Sequence, residues 1–237
     1  MTESNNIIRN ALAENRTFLM EHESKDLISA YDIPVGQYKL VENKKEAIEF
    51  ANEIGYPVVL KLMSPDIIHK TEAKVIKLDI NSSQELENAY EEIVLNAKKH
   101  NANARISGIN VQKMAKKSIV EIILGAKRDH AFGPVLMFGL GGIFVEIFRD
   151  VSYRVCPITK EEAKRMITSI KAFPLLDGYR GQPKADIVQL QDVILKCCNL
   201  LMENPEIEEL DLNPVIVFEL GKGVMVVDAR IILKEVN

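Results

Sequence analysis

The spacing of apolar and polar positions changes several times along the N-terminal part of the chain. Apolar residues recur at helical spacing up to about residue 32, with a break near residues 22–24, and Pro34 and Gly36 end that segment. The pattern then predicts a short strand over 37–40, a helix over 44–54, an apolar strand over 57–63, an alternating strand over 73–80 and a helix over 82–100. This succession predicts a compact α/β unit.

Strands dominate the pattern after about residue 104. We predict strands over 108–114, 118–124, 135–138, 144–147 and 151–157, helices over 160–170 and 185–202, and a final hairpin. The expected fold class is therefore α+β, with two lobes joined near residues 103–113. The expected divisions are an N-terminal helical extension over residues 1–23, a first lobe over 24–107 and a second lobe over 108–237.

Composition argues against two classes of partner. The 237 residues carry a net charge of −4 and contain no block rich in lysine and arginine, which argues against nucleic acid. The apolar runs are shorter than the ~18 residues of a membrane span, and the N-terminus lacks the apolar core of a signal peptide.

Cys156, Cys197 and Cys198 have the spacing of neither a disulfide framework nor a metal site. We therefore expect a reduced, cytoplasmic protein.

Acidic and amide side chains alternate with leucines near the C-terminus. Because successive side chains of a strand point to opposite faces, Glu209, Asp211 and Asn213 share one face. The next strand sets Asp228 in an apolar segment, and residues 219–223 between the strands have the composition of a turn. The sequence thus predicts a hairpin with a polar face.

The register of this hairpin decides whether the polar groups can bind a metal ion. A turn centred between Leu220 and Gly221 places Asn213 directly opposite Asp228, with Cβ atoms about 4.5–5.5 Å apart. Two oxygen ligands at that spacing, completed by water and phosphate oxygens, suit Mg²⁺. The alternative is that these two residues and Asp211 form a solvated strand face, because a shift of one residue reverses the facing.

Charged residues and glycines also interrupt the apolar strands. Lys61 could face a nucleotide phosphate, or its ammonium group could extend to solvent at a sheet edge. Glu121 could orient a nucleotide hydroxyl or amine, or it could pair with a lysine. The glycines of residues 138–146 could bring backbone N–H groups to a phosphate, or they could serve only as turn residues.

His69 follows the apolar strand over residues 57–63 by one short turn. Ser64 can cap a turn or helix, and Pro65 suits a first helical position, so the pattern places the histidine near the tip of a loop. Neutral imidazole is a good nucleophile near pH 7 and can accept a phosphoryl group and pass it on. The alternative is that His69 is a surface histidine without a catalytic role.

Several motifs together resemble one enzyme family. They are SPDIIHK, INVQKM, FGPVLMFGLGGIFVE, LLDGYRG and DLNP, and the likeness extends over about residues 24–233. The chain resembles the ATP-grasp subunit of ADP-forming acetyl-CoA synthetases, which are relatives of succinyl-CoA synthetase. The resemblance implies an ATP-grasp fold whose two α+β lobes hold ADP or ATP between them. It also implies Mg²⁺ and a CoA-binding alpha subunit as partner in an α₂β₂ assembly.

The resemblance further implies a phosphoryl relay. Acyl-CoA and phosphate react on the partner subunit, which forms an acyl phosphate and then a phosphohistidine. His69 matches a second histidine that carries the phosphoryl group to ADP, and Asp211 lies where an acid can support that carrier. Asn213 and Asp228 match the Mg²⁺ ligands.

The nucleotide-binding positions also follow from the resemblance. Lys61 matches the phosphate-binding lysine, and Glu121 matches a nucleotide-binding acid. Gln112, Lys113 and Met114 match the segment between the lobes that meets adenine.

The chain departs from the family where Glu72, Ala73, Lys74 and Val75 follow the histidine motif, since the family commonly has an acid, a small residue and two glycines there. Two alternatives therefore stay open. One is an ATP-grasp ligase that forms an acyl phosphate without a histidine relay, and the other is a non-catalytic, nucleotide-binding regulatory subunit. The sequence does not name the acyl group.

Overall fold

A computed structural model describes residues 3–115, 119–142 and 149–235. The chain divides into two compact units, which we call the inserted unit (Gly36–Lys116) and the outer unit (Met1–Val35 with Lys117–Asn237). Within the described residues, no helix is both long enough and apolar enough to cross a membrane.

The inserted unit is a four-stranded antiparallel sheet with two helices on one face. Its strands run in the order β2–β5–β3–β4. Valine, leucine and isoleucine side chains of β2, β3 and β5 form a core with Ala47 and Ala51 of α3 and with Leu86 and Ile93 of α4. The elements are β2 (Tyr38–Val41), α3 (Lys44–Ile54), β3 (Val58–Met63), β4 (Ile76–Ile80), α4 (Ser83–His100) and β5 (Gly108–Lys113).

Within the described residues, the outer unit is built on a seven-stranded antiparallel sheet. Its strands run in the order β1–β11–β9–β6–β7–β8, and β10 also pairs with β9. The elements are α1 (Glu3–Ala13), β1 (Phe18–Leu19), α2 (Glu21–Ser29), β6 (Val120–Asp129), β7 (Gly133–Leu140), β8 (Val151–Val155), α5 (Lys160–Thr168), α6 (Phe173–Leu176), a 3₁₀ turn (Tyr179–Gly181), α7 (Ile187–Glu203), β9 (Ile207–Val217), β10 (Val224–Val226) and β11 (Ala229–Leu233).

The core of the outer unit lies between one sheet face and the helices. Alternate residues of the strands, such as Leu124, Phe138 and Leu212, pack with α7 residues such as Leu190 and Ile194. The alternation confirms the predicted facing of the last strands, because leucines point into the core while the acids between them point away. The polar face of the C-terminal hairpin therefore lies on the sheet face opposite the core.

The structure divides the chain differently from the boundaries expected from sequence. Residues 108–113 belong to the inserted unit, because β5 pairs with both β2 and β3 there. The N-terminal residues are not a separate extension, since Phe18 pairs with Ile232 and Leu27 is part of the outer unit's core. The break in the N-terminal helical segment also comes earlier, between α1 and α2. The strand predicted over residues 144–147 lies outside the described residues.

Candidate active site

The loop that carries His69 joins β3 to β4 over residues 64–75, and its base is built from turns. The Ser64 hydroxyl accepts a hydrogen bond from the Asp66 backbone N–H at 3.1 Å, as a capping serine does. The helical start expected at Pro65 does not form, and residues 64–75 contain turns but no helix. The Asp66 carboxylate is bound instead by Arg105, 39 residues further along the chain.

Arg105 clamps the beginning of this loop through the Asp66 carboxylate. The Arg105 Nη2 atom donates to Asp66 Oδ1 at 2.7 Å, and the Arg105 Nε and backbone N–H donate to Asp66 Oδ2 at 3.1 and 2.7 Å. These hydrogen bonds lower the pKa of Asp66 to about 2, so the clamp is ionised at neutral pH. The neighbouring Ile67 is buried in the core of the inserted unit, which fixes the loop at the same point.

The far end of the loop is fixed by a second set of turns. The Ala73 N–H donates to the His69 carbonyl at 3.0 Å, and the Val75 N–H donates to the Lys70 carbonyl at 3.1 Å. Lys74 adopts φ of 54°, a conformation that favours glycine. The lysine thus stands in the left-handed conformation at a place where the family commonly has glycine.

His69 lies exposed between these two anchors. Ile68 beside it is 65% exposed, whereas Ile67 and Ala73 are buried. The imidazole is therefore presented to solvent on a loop whose two ends are held. This arrangement suits a nucleophile that must meet a large substrate.

Lys61 and Gln112 share the sheet face that points away from the helices of the inserted unit. Lys61 is 7% exposed and Gln112 is 3% exposed, although both are polar. The register places Gln112 opposite Val59, two residues from Lys61 on the same strand. The predicted phosphate lysine and one predicted adenine contact therefore lie on one face of one sheet.

Lys113 and Met114 are tied to the start of β3. The Lys113 Nζ atom donates to the carbonyl oxygens of Gly55 and Tyr56, each at 2.8 Å. The Met114 N–H donates to the Pro57 carbonyl at 3.1 Å. The end of β5 is thus held in place, and the Lys113 ammonium group is engaged in holding it.

The register of the C-terminal hairpin is the one expected from a turn between Leu220 and Gly221. Strand β10 pairs Val226 with Val215, and β11 pairs Arg230 with Asp211, so the same register holds from Val224 to Ile232. The Asn213 N–H donates to the Asp228 carbonyl at 3.2 Å. The predicted opposition of Asn213 and Asp228 is confirmed.

The donor chemistry of this pair fits Mg²⁺. Asn213 is exposed and Asp228 is half-buried, and together they offer an amide oxygen and a carboxylate. Within the described residues, no group of three or more histidine, cysteine or acidic side chains could enclose a metal ion. Two protein oxygens with open positions for phosphate and water are what Mg²⁺ usually takes in nucleotide sites.

Asp211 lies in a cavity of about 360 Å³ on the same sheet face. Ile123, Met137 and Ile232 help to line this cavity, and the Asp211 Oδ1 atom is buried with no hydrogen-bond partner in the part of the chain that the structure describes. Burial raises the pKa of Asp211, and Arg230 opposite it partly offsets that rise. An acid in this state can accept a hydrogen bond from a cationic or N–H group that enters the cavity.

Glu121 is exposed on β6, and its backbone supports the glycine-rich stretch. The Gly141 N–H donates to the Glu121 carbonyl at 2.7 Å, and a Cβ atom on Gly141 would lie 3.2 Å from the Glu121 backbone. Close packing therefore explains Gly141 without a phosphate. The last part of the predicted glycine-rich stretch, residues 143–146, lies outside the described residues.

The comparisons with known proteins show the family of this chain. A family model described as an ATP-grasp domain matches residues 10–233. The chain is 48% identical over 233 residues to the beta subunit of acetate–CoA ligase (ADP-forming) II from Pyrococcus furiosus, and the match covers 98% of both chains.

Two solved structures are similar over nearly the whole chain. A protein from Pyrococcus horikoshii has a TM-score of 0.94 and 46% identity, with all of both chains covered. An acetyl-coenzyme A synthetase 1 of Ca. Korarchaeum cryptofilum has a TM-score of 0.86 and 44% identity, with 98% of this chain and 100% of that one covered. That structure is a complex with coenzyme A and Mg-AMPPCP, and its phosphohistidine segment points towards the nucleotide binding site. The present chain belongs to the ATP-grasp family and, within it, to the beta subunits of ADP-forming acetate–CoA ligases.

Proposed function

We propose that this chain is the nucleotide-binding subunit of an ADP-forming acyl-CoA synthetase and that His69 carries the phosphoryl group. The observation that carries the proposal is the exposed imidazole on a loop fixed at both ends by Asp66 and by the turns around Lys74. The overall reaction makes ATP from acyl-CoA, ADP and phosphate, and it is reversible.

The relay consists of two phosphoryl transfers without a change of oxidation state. In the first, a nitrogen of His69 attacks the phosphorus of a phosphohistidine on the partner, and one P–N bond replaces another. In the second, a terminal phosphate oxygen of ADP attacks the same phosphorus. The P–N bond to His69 breaks as the new P–O bond of ATP forms, and the imidazole returns to its neutral state. Because only the two ends of the loop are held, its tip can move between the two sites while fewer conformations compete with each in-line arrangement.

The nucleotide contacts follow from the face of the inserted sheet that carries Lys61. Lys61 would bind a phosphate, while Gln112 and the segment of Lys113 and Met114 would meet adenine. Because the Lys113 ammonium group already binds two carbonyl oxygens, its side chain would hold this segment rather than contact the base. Glu121 would accept a hydrogen bond from the nucleotide.

Asn213 and Asp228 would hold Mg²⁺ together with phosphate oxygens. When bound, the ion neutralises phosphate charge and orients the nucleotide. Asp211 would support the carrier histidine, because its buried Oδ1 atom has no hydrogen-bond partner among the described residues and can accept one.

A CoA-binding alpha subunit is the proposed partner, in an α₂β₂ assembly in the cytoplasm. A histidine carrier is useful when two sites lie too far apart for direct transfer, because the phosphoryl group would otherwise be lost to water. Loop movement on the μs–ms timescale is faster than a typical turnover of ~10 s⁻¹.

Phosphohistidine labelling tests the relay. The chain is incubated with γ-labelled ATP and Mg²⁺, and the label should be acid-labile, base-stable and located on His69. His69→Ala should abolish the label, whereas His130→Ala, at another exposed histidine, should keep it. Equal labelling of wild type and His69→Ala would refute the carrier. If the wild type binds nucleotide but forms an acyl phosphate without any label, the direct ligase is favoured, and binding without any turnover favours the regulatory subunit.

Mixing with the partner tests the division of labour. The chain alone should make no ATP from acetyl-CoA, ADP and phosphate, and activity should appear only when a CoA-binding subunit is added. Full activity from the chain alone would show that the partner is not needed.

A further inference from the structure

Asn110 is a buried polar residue that none of the predicted roles uses. It lies in the middle of β5 and is fully buried, with 0% of its surface exposed. Among the described residues, neither its Oδ1 nor its Nδ2 atom has a hydrogen-bond partner. A buried amide with both groups unsatisfied is costly and rare in folded proteins, so it calls for an explanation.

The sheet register puts Asn110 beside the predicted phosphate lysine. On one side it is directly opposite Lys61 of β3, and on the other it is opposite Leu40 of β2. Lys61 in turn faces Ile76 of β4. The row across the sheet is therefore leucine, asparagine, lysine and isoleucine, and directly opposed side chains lie about 4.5–5.5 Å apart at Cβ.

The neighbours of Asn110 on β3 do not satisfy its amide, and among the described residues Tyr38 and Gln112, which are polar and lie on the same sheet face, form no hydrogen bond with it either. The adjacent residues of Asn110, Ile109 and Val111, belong to the core on the helix side. Diagonal neighbours on its own side, Val59 and Met63, offer no donor group and at most a weak sulfur acceptor. Within the row, Lys61 is the one polar side chain directly opposite Asn110.

We infer that Asn110 is a further positioning residue of the nucleotide site, where its Nδ2 group donates to the phosphate oxygen bound by Lys61 and its Oδ1 atom accepts from the Lys61 ammonium group. The inference rests on the proposed nucleotide-binding function. Its chemistry follows from the pair: a lysine gives charge, and an amide gives an NH₂ donor group and an oxygen acceptor in fixed directions. The ligand that satisfies both is an anionic oxygen, which a nucleotide phosphate supplies and adenosine does not.

The test compares Asn110→Leu with wild type by nucleotide titration and by denaturant unfolding. Leucine has a similar shape and leaves no unsatisfied amide, so the ligand-free variant should be at least as stable as wild type. Its Kd for ADP and for AMP should rise about tenfold, while its Kd for adenosine should not change. Lys61→Met should also weaken ADP binding. In the double variant the two losses of affinity should not add, because both side chains act on the same oxygen.

Asn204→Leu is the matched control. Asn204 is also buried, but its Nδ2 atom donates to the Tyr31 hydroxyl and to the Leu200 carbonyl, each at 2.8 Å. This variant should lose stability and keep its nucleotide affinity, the opposite of Asn110→Leu.

Each outcome decides a different point. If wild type binds ADP and Asn110→Leu binds it equally well, Asn110 is only hydrated or buried and the inference fails. If Asn110→Leu is destabilised without nucleotide, the amide is structural and the inference also fails. If the wild type binds neither ADP nor ATP, the proposed function itself fails.

Discussion

Asp186 holds the turn of the C-terminal hairpin, and its replacement gives a sharp test of how the proposed metal-ligand pair, Asn213 and Asp228, is supported. The side chain is buried, and its Oδ2 atom accepts from the backbone N–H groups of Gly221 and Gly223, each at 2.9 Å. Its Oδ1 atom accepts from the Gln189 N–H at 3.2 Å and so caps helix α7. One carboxylate therefore joins the helix start to the turn that sets the register of Asn213 and Asp228.

The expected cost of Asp186→Ala follows from these contacts. Loss of an N-cap destabilises a helix by about 1 kcal/mol. Net contributions of hydrogen bonds to charged groups are about 1.5–3 kcal/mol each, but the two glycine N–H groups share one oxygen and lie near solvent, so we count them as one. The expected loss in the free energy of unfolding is therefore about 3 kcal/mol.

The variant Asp186→Asn separates charge from shape. Asparagine can offer one oxygen, so either the turn or the helix start would face an NH₂ group where it needs an acceptor. We expect this variant to lose about as much stability as Asp186→Ala, although its shape is almost unchanged.

Urea unfolding at neutral pH measures both losses, with Asp192→Ala as the control on the same helix. Asp192 is half exposed and, among the described residues, forms an ion pair with Lys196, four residues further on, so its loss should cost about 0.5 kcal/mol or less. A value below about 1 kcal/mol for Asp186→Ala would contradict the reasoning. So would a fully stable Asp186→Asn variant.

Three further predictions concern the sites themselves. Arg105→Gln removes the ion pair that clamps Asp66, so phosphorylation of His69 should slow several-fold while nucleotide affinity stays unchanged; an unchanged labelling rate would show that the clamp is not needed. Lys74→Gly relieves a left-handed backbone and should change stability by between 0 and about +1 kcal/mol, whereas a marked loss in unfolding experiments would show that the lysine side chain supports the loop. Burial raises the pKa of Asp211, so the folded state binds protons more readily than the unfolded state and this residue favours folding more as pH falls towards its folded pKa; the stability advantage of Asp211→Asn over wild type should shrink between pH 7 and pH 4, and a constant difference would contradict the raised pKa.

Local patterns predicted the elements near the site well, because they depend on neighbours in sequence. The helix over residues 44–54 forms as expected, and its Asn43 cap accepts from the Glu46 N–H. The hairpin register was predictable because the alternating acids and the turn glycines both fix the same centre. The facing of Asp211 follows from the same alternation.

Long-range contacts explain what the sequence did not predict. The placement of β5 depends on the pairing of Tyr38 with Gln112, and the placement of β1 depends on the pairing of Phe18 with Ile232. Neither pairing can be predicted from the local spacing of apolar and polar residues. The turn at Pro65 was predicted as a helix start because nothing near it indicates that Arg105 takes the Asp66 carboxylate. Asn110 had a weak signal, since it is a polar residue at an alternating position of an apolar strand, but its missing partners are visible only in the fold.

The functional groups of each unit are positioned by contacts within that unit. The clamp on the His69 loop and the row of Asn110 and Lys61 rest on contacts inside the inserted unit. The opposition of Asn213 and Asp228 rests on the sheet of the outer unit alone. Because the two sets of residues are held by separate contacts, a substitution in one set should leave the property that depends on the other set unchanged. Asp228→Ala should raise the Mg²⁺ concentration that nucleotide binding requires while saturating Mg²⁺ restores the label on His69. His69→Ala should abolish the label and leave the Mg²⁺ dependence of binding intact. If either substitution removed both properties, the two sets would not be independent, and the carrier and the metal ligands would have to be treated as one cooperative site.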